Sequence, residues 1–175
     1  MGIIDDLQKE LEMADEMGFV PGELLETVTS NEMAVRIKLD EGVECPVYAH
    51  DGDSGFDILA RKTVKFNKFQ TRLVPTGIYL EIPKGYECQI RPRSGVSLKT
   101  PFRIANAPGT IDSNYRGEVG IIVQNVSNKQ LVVKEGTKIA QGVIVPVMQA
   151  KFYIVEDLEN SNRGADGFGS TDKGE

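Results

Sequence analysis

The chain has 175 residues, 40% of them hydrophobic and 18 of them glycine, which suits one domain with a real core. Its net charge of −6 is unevenly spread: residues 1–32 hold nine carboxylates against Lys9 alone, a net −8, which leaves +2 for the remaining 143. With no basic stripe, no apolar run near the roughly 18 residues of a membrane span and an N-terminal stretch too acidic for a signal peptide, the composition argues against duplex nucleic acid, membranes and secretion.

In chain order, Ile4, Leu7, Leu11 and Ala14 recur at three- and four-residue steps, which predicts one short amphipathic helix ended by Gly18 and Pro21-Gly22. Such a helix is marginal alone, so it is expected to dock on its own body, a sister subunit or a partner. From Met33 the period becomes two. Val35, Ile37 and Leu39 alternate with Arg36 and Lys38, and Ile78, Leu80 and Ile82 with Tyr79 and Glu81. "ECQI", "EVGIIV", "QLVV", "GVIVPV" and "KFYIV" are further short β-type runs, separated by turns such as "IPKGYE", "NAPG" and "VKEGTK". Many short strands predict a sandwich, jelly roll or barrel, and no helix of comparable strength is expected after residue 33. Residues 159–175 lose periodicity and read as a mobile tail. The expected organisation is an acidic extension over 1–32, a β domain over 33–158 and a glycine-rich tail over 159–175.

The chemistry lies between these strands. "DSGFDILA" puts Asp57 at the head of an apolar run, placed either to meet a hydrated Mg²⁺ or to cap a turn. "RPRSGVS" gathers Arg91, Arg93, Ser94 and Ser97 around Gly95, donors that suit phosphate oxygens, although a solvated loop has the same composition. In "GTIDSNYRGEVGI", Asp112 and Tyr115 sit in a turn between β-type segments. On a rigid hairpin the carboxylate can serve as a general base toward water and the ring can pack a sugar face, though an Asp in a turn is often turn chemistry alone. "GTKIAQG" places Gln141 beside an apolar strand. "RGADGFGSTDKGE" closes the chain with a lone aromatic, Phe168. The sole histidine, His50, lies in a polar loop, and Cys45 and Cys88 have no metal-type spacing, so neither histidine catalysis nor zinc is expected, and the thiols are expected to be reduced.

Taken in order, "DSGFDILA", "PRSGVS", "GTIDSNYRGEVG", "GTKIAQG" and "RGADGFGSTDKGE" resemble all five motifs of the trimeric deoxyuridine triphosphatase family, over roughly residues 34–171. The resemblance implies an all-β subunit, a distorted jelly roll or β-barrel. It implies a homotrimer whose three sites lie between subunits, each closed by a tail from the third. It also implies hydrolysis of dUTP to dUMP and pyrophosphate with Mg²⁺, which keeps uracil out of DNA and supplies dUMP for thymidylate synthesis. The setting implied is cytoplasmic, or nuclear or host cytoplasm for a eukaryotic or viral chain.

Carried onto this sequence, the family pattern makes Asp112 the base for water attack on the α-phosphorus. Asn106 and the backbone of Ala107–Gly109 would receive the uracil, and Tyr115 would pack on the deoxyribose and leave no room for a 2′-hydroxyl. Arg93, Ser94, Gly95 and Gln141 would hold phosphate oxygens, and Asp57 would support the site. The metal would be held mainly by substrate phosphates and water, with Asp57 and Gln141 as candidates for water-mediated contacts. In the tail, Arg163 would meet the γ-phosphate, Phe168 would stack on uracil, and Gly169, Ser170 and Thr171 would wrap the phosphates.

The chain departs from the family pattern at Asn114, Lys138 and Gly142, and at Asp166 and Asp172, whose charges oppose a triphosphate unless they point away from it or toward Mg²⁺. Segment 1–32 has no counterpart in the minimal family. Two rival readings are a nucleotide-gated regulatory protein acting on a partner through residues 1–32, and a dCTP deaminase, which shares the fold but needs a glutamate where this chain has Ile121, Ile122 and Val123.

Overall fold

Residues 32–165 are described by a computed structural model and contain eleven strands and one short helix. The helix expected near the N-terminus, and Phe168, Gly169, Ser170 and Thr171 of the tail, lie outside the described residues. The strands are β1 (Arg36–Leu39), β2 (Phe56–Leu59), β3 (Val64–Phe66), β4 (Thr71–Val74), β5 (Ile78–Glu81), β6 (Tyr86–Pro92), β7 (Phe102–Ile104), β8 (Gly109–Asp112), β9 (Ile121–Asn125), β10 (Leu131–Val133) and β11 (Lys138–Pro146). The helix α1 spans Ser94–Lys99.

Each strand pair is antiparallel. Two larger sheets run β2-β11-β6-β8 and β4-β9-β7, and two two-stranded sheets pair β1 with β5 and β3 with β10. This is a jelly-roll β fold, in which sequence neighbours mostly belong to different sheets. The period-two pattern becomes two faces. In β6, Cys88 and Ile90 enter the core while Glu87, Gln89 and Arg91 line the other side. Phe66, Val74, Val119, Ile121, Val123, Val133 and Ile139 fill the same core, and the Phe66 and Phe102 rings meet edge to face. Two buried polar side chains, Thr76 and Asn125, are satisfied by hydrogen bonds.

Strand β11 carries an irregularity that matters for the site. Its register against β2 shifts between Lys138 and Ala140, so Lys138 stands opposite Leu59 and Gln141 opposite Asp57. In a regular strand, residues three apart face opposite sides. The bulge puts Lys138 and Gln141 on one face, and the two consecutive buried residues Ile139 and Ala140 are its mark.

Three local expectations are corrected. "SGVSLK" is a helix: Ser97 N–H donates to Arg93 O at 3.0 Å and Thr100 N–H to Val96 O at 3.0 Å, in a segment too short to show a helical period. "KFYIV" is not a strand within the chain. Its residues are exposed, Phe152 at 91% and Ile154 at 103%, and the strands end at Pro146, because no strand among the described residues pairs with it. Finally, the segment bearing Asp112 and Tyr115 is not a hairpin. β8 pairs with β6 while β9 pairs with β4 and β7, so residues 113–120 form a corner from one sheet to the other.

Candidate active site

Register alone assembles one polar face on the β2-β11-β6-β8 sheet. Asp57 lies opposite Gln141, Gln141 opposite Arg91, Gln89 opposite Thr110, and Glu87 opposite Asp112. Along β6 the side chains are linked in a row: Gln89 Nε2 donates to Glu87 Oε1 at 2.7 Å, and Arg91 Nη2 donates to Gln89 Oε1 at 2.7 Å.

At one edge of this face is a cationic cluster. Arg93 Nε reaches Asp57 Oδ1 at 2.6 Å, and Lys138 Nζ reaches Asp57 Oδ2 at 2.7 Å. Only 14% of the Asp57 side chain is exposed, and each of its oxygens faces a cation. Two cations against one carboxylate leave the cluster net positive, which suits an anion. Gln141 Nε2 donates to Pro92 O at 2.9 Å. Its side chain fits because residue 55 is glycine: a Cβ there would come within 2.5 Å of Gln141 Oε1. Gly142 has a similar cause, since a Cβ at that position would run into the Phe56 ring. Arg93 precedes α1, and Ser94 and Gly95 form its exposed first turn, where main-chain N–H groups have no partner within a helix.

At the other edge is the corner after β8. Asp112 ends the strand in an exposed position, and Tyr115 N–H donates back to Asp112 O at 3.1 Å. The Tyr115 hydroxyl donates to Glu118 O at 3.1 Å, and the ring is 44% exposed. It lies over Gly117, where any Cβ would strike it. Arg116 Nη1 donates to Ser113 O at 2.7 Å and to Tyr115 O at 2.9 Å. An open cleft of about 860 Å³ beside Asp112 is lined by Arg36, Glu81, Lys84, Asn114 and Arg116 among others. Asn106 lies in the turn before β8, against Gly109: a Cβ on Gly109 would sit 3.0 Å from Asn106 Nδ2. The Ala107–Pro108 peptide in that turn is cis.

The residues singled out from the sequence thus fall into two groups, with Asp57, Arg93, Ser94, Gly95 and Gln141 in one and Asn106, Gly109, Asp112 and Tyr115 in the other. Strands β2 and β8 are three strand spacings apart, roughly 14 Å at about 4.8 Å each. Arg163 lies in the exposed stretch beyond the last strand, outside both groups as elements define them. Two residues were missed as site members. Lys138, noted only as a departure, pairs with Asp57, and the consecutive apolar pair after it was the available signal. Glu118 lies inside the third motif, but the sequence gives it no role there. Among the described residues no group of three His, Cys, Asp or Glu side chains could hold a metal ion, and no helix is long and apolar enough to cross a membrane.

The family model named dUTPase matches residues 41–172. A deoxyuridine 5′-triphosphate nucleotidohydrolase of Crocosphaera subtropica is 48% identical over 135 residues, covering 77% of this chain and 95% of that protein. The one from Chlamydia felis is 44% identical over 144 residues, covering 79% and 98%. Among solved structures, a mutant dUTPase of Staphylococcus bacteriophage 80alpha with dUpNHpp superposes with a TM-score of 0.73 at 29% identity, covering 79% of this chain and 98% of that one. A mutant dUTPase of phage phi11 of S. aureus, described for its coordination of a structural Mg(II) ion, superposes with a TM-score of 0.67 at 28% identity, covering 73% and 100%.

Proposed function

The chain belongs to the dUTPase family and hydrolyses dUTP with release of pyrophosphate, and from that premise we propose which of its residues do the work. Asp112 is the general base. Standing exposed at the end of a strand whose other residues are held by β6, it orients a water molecule and takes its proton as the oxygen attacks the α-phosphorus. Asn106 and the main chain through Gly109 receive the uracil edge, and a 5-methyl group is excluded by crowding in that turn. Tyr115 packs on the deoxyribose and leaves no space for a 2′-hydroxyl.

The net-positive cluster of Arg93 and Lys138 around Asp57, with Ser94, Gly95 and Gln141, receives phosphate oxygens. Asp57 holds the two cations in place. Positioning and charge stabilisation of this kind supply most of the catalysis in phosphoryl chemistry. The donor set fits Mg²⁺ brought in by the substrate, because this ion keeps several waters and takes phosphate oxygens readily. Gln141 would meet the ion through a water molecule, and the ion would neutralise charge on the triphosphate.

The separation of the two groups in one chain supports sites completed between copies in a homotrimer. The exposed apolar run at Phe152–Val155 supports it too, because contiguous apolar surface of this kind marks an interface. The tail over 159–175 then closes on the nucleotide, with Arg163 on the γ-phosphate, Phe168 on the uracil, and Gly169, Ser170 and Thr171 along the phosphates. The cellular setting proposed is cytoplasmic, where the reaction keeps uracil out of DNA.

The observation that carries this reading is that one short corner holds both Asp112, exposed at the end of β8, and Tyr115, whose main-chain N–H donates back to the Asp112 main-chain O at 3.1 Å. The test is turnover of dUTP, dCTP, dTTP and UTP with Mg²⁺ by the full protein and by Asp112→Asn. Only dUTP is expected to be cut efficiently, and the variant is expected to bind dUTP while losing about 100-fold or more in kcat. Ammonia release from dCTP, or an Asp112→Asn enzyme at full rate, would overturn it.

A further inference from the structure

We infer that Glu118 is a positioning residue for Tyr115, and through that ring for discrimination between deoxyribose and ribose. The inference rests on the role proposed for Tyr115.

Glu118 is held by its side chain and holds Tyr115 by its main chain. Its Oε1 accepts two main-chain hydrogen bonds from the β4–β5 connection, from Thr76 N–H at 2.9 Å and from Gly77 N–H at 2.7 Å. Its carbonyl oxygen accepts the Tyr115 hydroxyl at 3.1 Å. The next residue locks to the same connection: Val119 N–H donates to Ile78 O at 2.8 Å, and Thr76 Oγ1 donates to Val119 O at 2.5 Å. On the other side, Gly117 offers the ring a surface without a Cβ. Residues 117–119 therefore set where the ring lies, and within this stretch Val119 anchors in the core while the Glu118 side chain makes the polar tie to another part of the fold.

The corner has a second outward tie, from Arg116 Nη2 to Glu81 Oε1 at 3.7 Å, with Arg36 on the same carboxylate at 3.5 Å. These side chains are about half exposed, and exposed pairs of this kind hold little. The Glu118 tie differs in both respects. A carboxylate accepting two N–H groups forms charge-assisted bonds. Thr76 and Gly77 are buried, so removing the acceptor strands two main-chain donors away from water. Without Glu118 the connection and the corner would shift until those donors found partners, and the carbonyl that fixes the Tyr115 hydroxyl would move with them. A looser ring would admit a 2′-hydroxyl before it abolished turnover of dUTP.

The test compares kcat/KM for dUTP and for UTP, with melting temperature as a separate readout, in the wild type, Glu118→Ala, Glu118→Asp, Glu118→Gln, Glu81→Ala and Tyr115→Ala. Glu118→Ala and Glu118→Asp are expected to lower the dUTP-to-UTP ratio by roughly tenfold, the size of a lost charge-assisted bond. Glu118→Gln keeps an acceptor oxygen at the same reach but loses the charge, and is expected to fall between wild type and Glu118→Ala, whereas Glu81→Ala is expected to stay within about twofold of wild type. Should Glu118→Ala fail to fold, the aspartate variant decides the matter. Folded Ala or Asp variants with a wild-type ratio would overturn the inference whatever their melting temperature, as would a glutamine variant as permissive as the alanine one. An unchanged ratio in Tyr115→Ala would instead overturn the reading of Tyr115 on which the inference stands.

Discussion

Asp57 and Cys88 show how much a residue's chemistry depends on its neighbours. From the residues alone, Asp57 reads either as a contact to hydrated Mg²⁺ or as a turn cap, and the family resemblance makes it a support of the site. In the fold its two oxygens meet Arg93 and Lys138 at 2.6 and 2.7 Å, which makes it the holder of a cationic site. Cys88 and Cys45 look alike in the sequence. Yet burial in β6 pushes the Cys88 thiol up to about 11, with only partial opposition from a hydrogen bond to the Val143 main chain, while Cys45 is exposed. The thiolate is the reactive form, and at neutral pH a group raised this far is almost wholly protonated as well as covered. A thiol reagent applied to the native protein at pH 7 is therefore expected to modify Cys45 alone, and both cysteines after denaturation. Mass spectrometry of the labelled protein checks this, and rapid native labelling of Cys88 would contradict it.

At the scale of elements, alternation revealed most strands but not what they pair with. β5 and β6 follow from "IYLE" and "ECQI" because one face of each is buried. The bulge in β11 was written only in the consecutive apolar residues Ile139 and Ala140, and α1 had no period to read. "KFYIV" is the informative miss. Its alternation and β-branched residues predict a strand, but strand propensity expresses packing against a partner, and none of the described residues supplies one. If a neighbouring copy supplies it, as proposed, then Phe152→Asp with Ile154→Asp is expected to shift sedimentation from a trimer to smaller species while leaving the far-ultraviolet circular dichroism of the β domain in place. An intact trimer in the double variant would remove this run from the interface.

For the whole molecule, the decisive property is that the phosphate-type cluster and the Asp112–Tyr115 corner lie on separate strands of one sheet, β2 and β11 against β8. In the proposed homotrimer a site shared between copies would resolve that separation and would leave the final closure to the tail. Truncation after Asn162 removes Arg163 and everything beyond it. The product is expected to remain a folded trimer, because the strands end at Pro146, and to lose turnover of dUTP by about two orders of magnitude or more, the scale on which lost positioning acts. Steady-state kinetics alongside sedimentation would check both halves, and a truncated trimer of full activity would leave the tail without a catalytic role.

The sequence by itself determined the family, the reaction and the identity of most candidate site residues, because five short motifs carry the functional groups in order: Asp57, Arg93, Asp112, Gln141 and the tail. It also determined the all-β class, since alternation is a local property of the chain. Only the tertiary structure decided how those groups meet. Asp57, Arg93 and Lys138 are brought together across separations of 36 and 81 residues, by strand register and by one bulge. Glu118 lies within the third motif, but it acts through main-chain groups of Thr76 and Gly77, and main-chain donors are the same in every residue but proline, so no side-chain pattern could announce that role. The same holds for Gly55, Gly117 and Gly142, whose value lies in the side chains that occupy the space beside them.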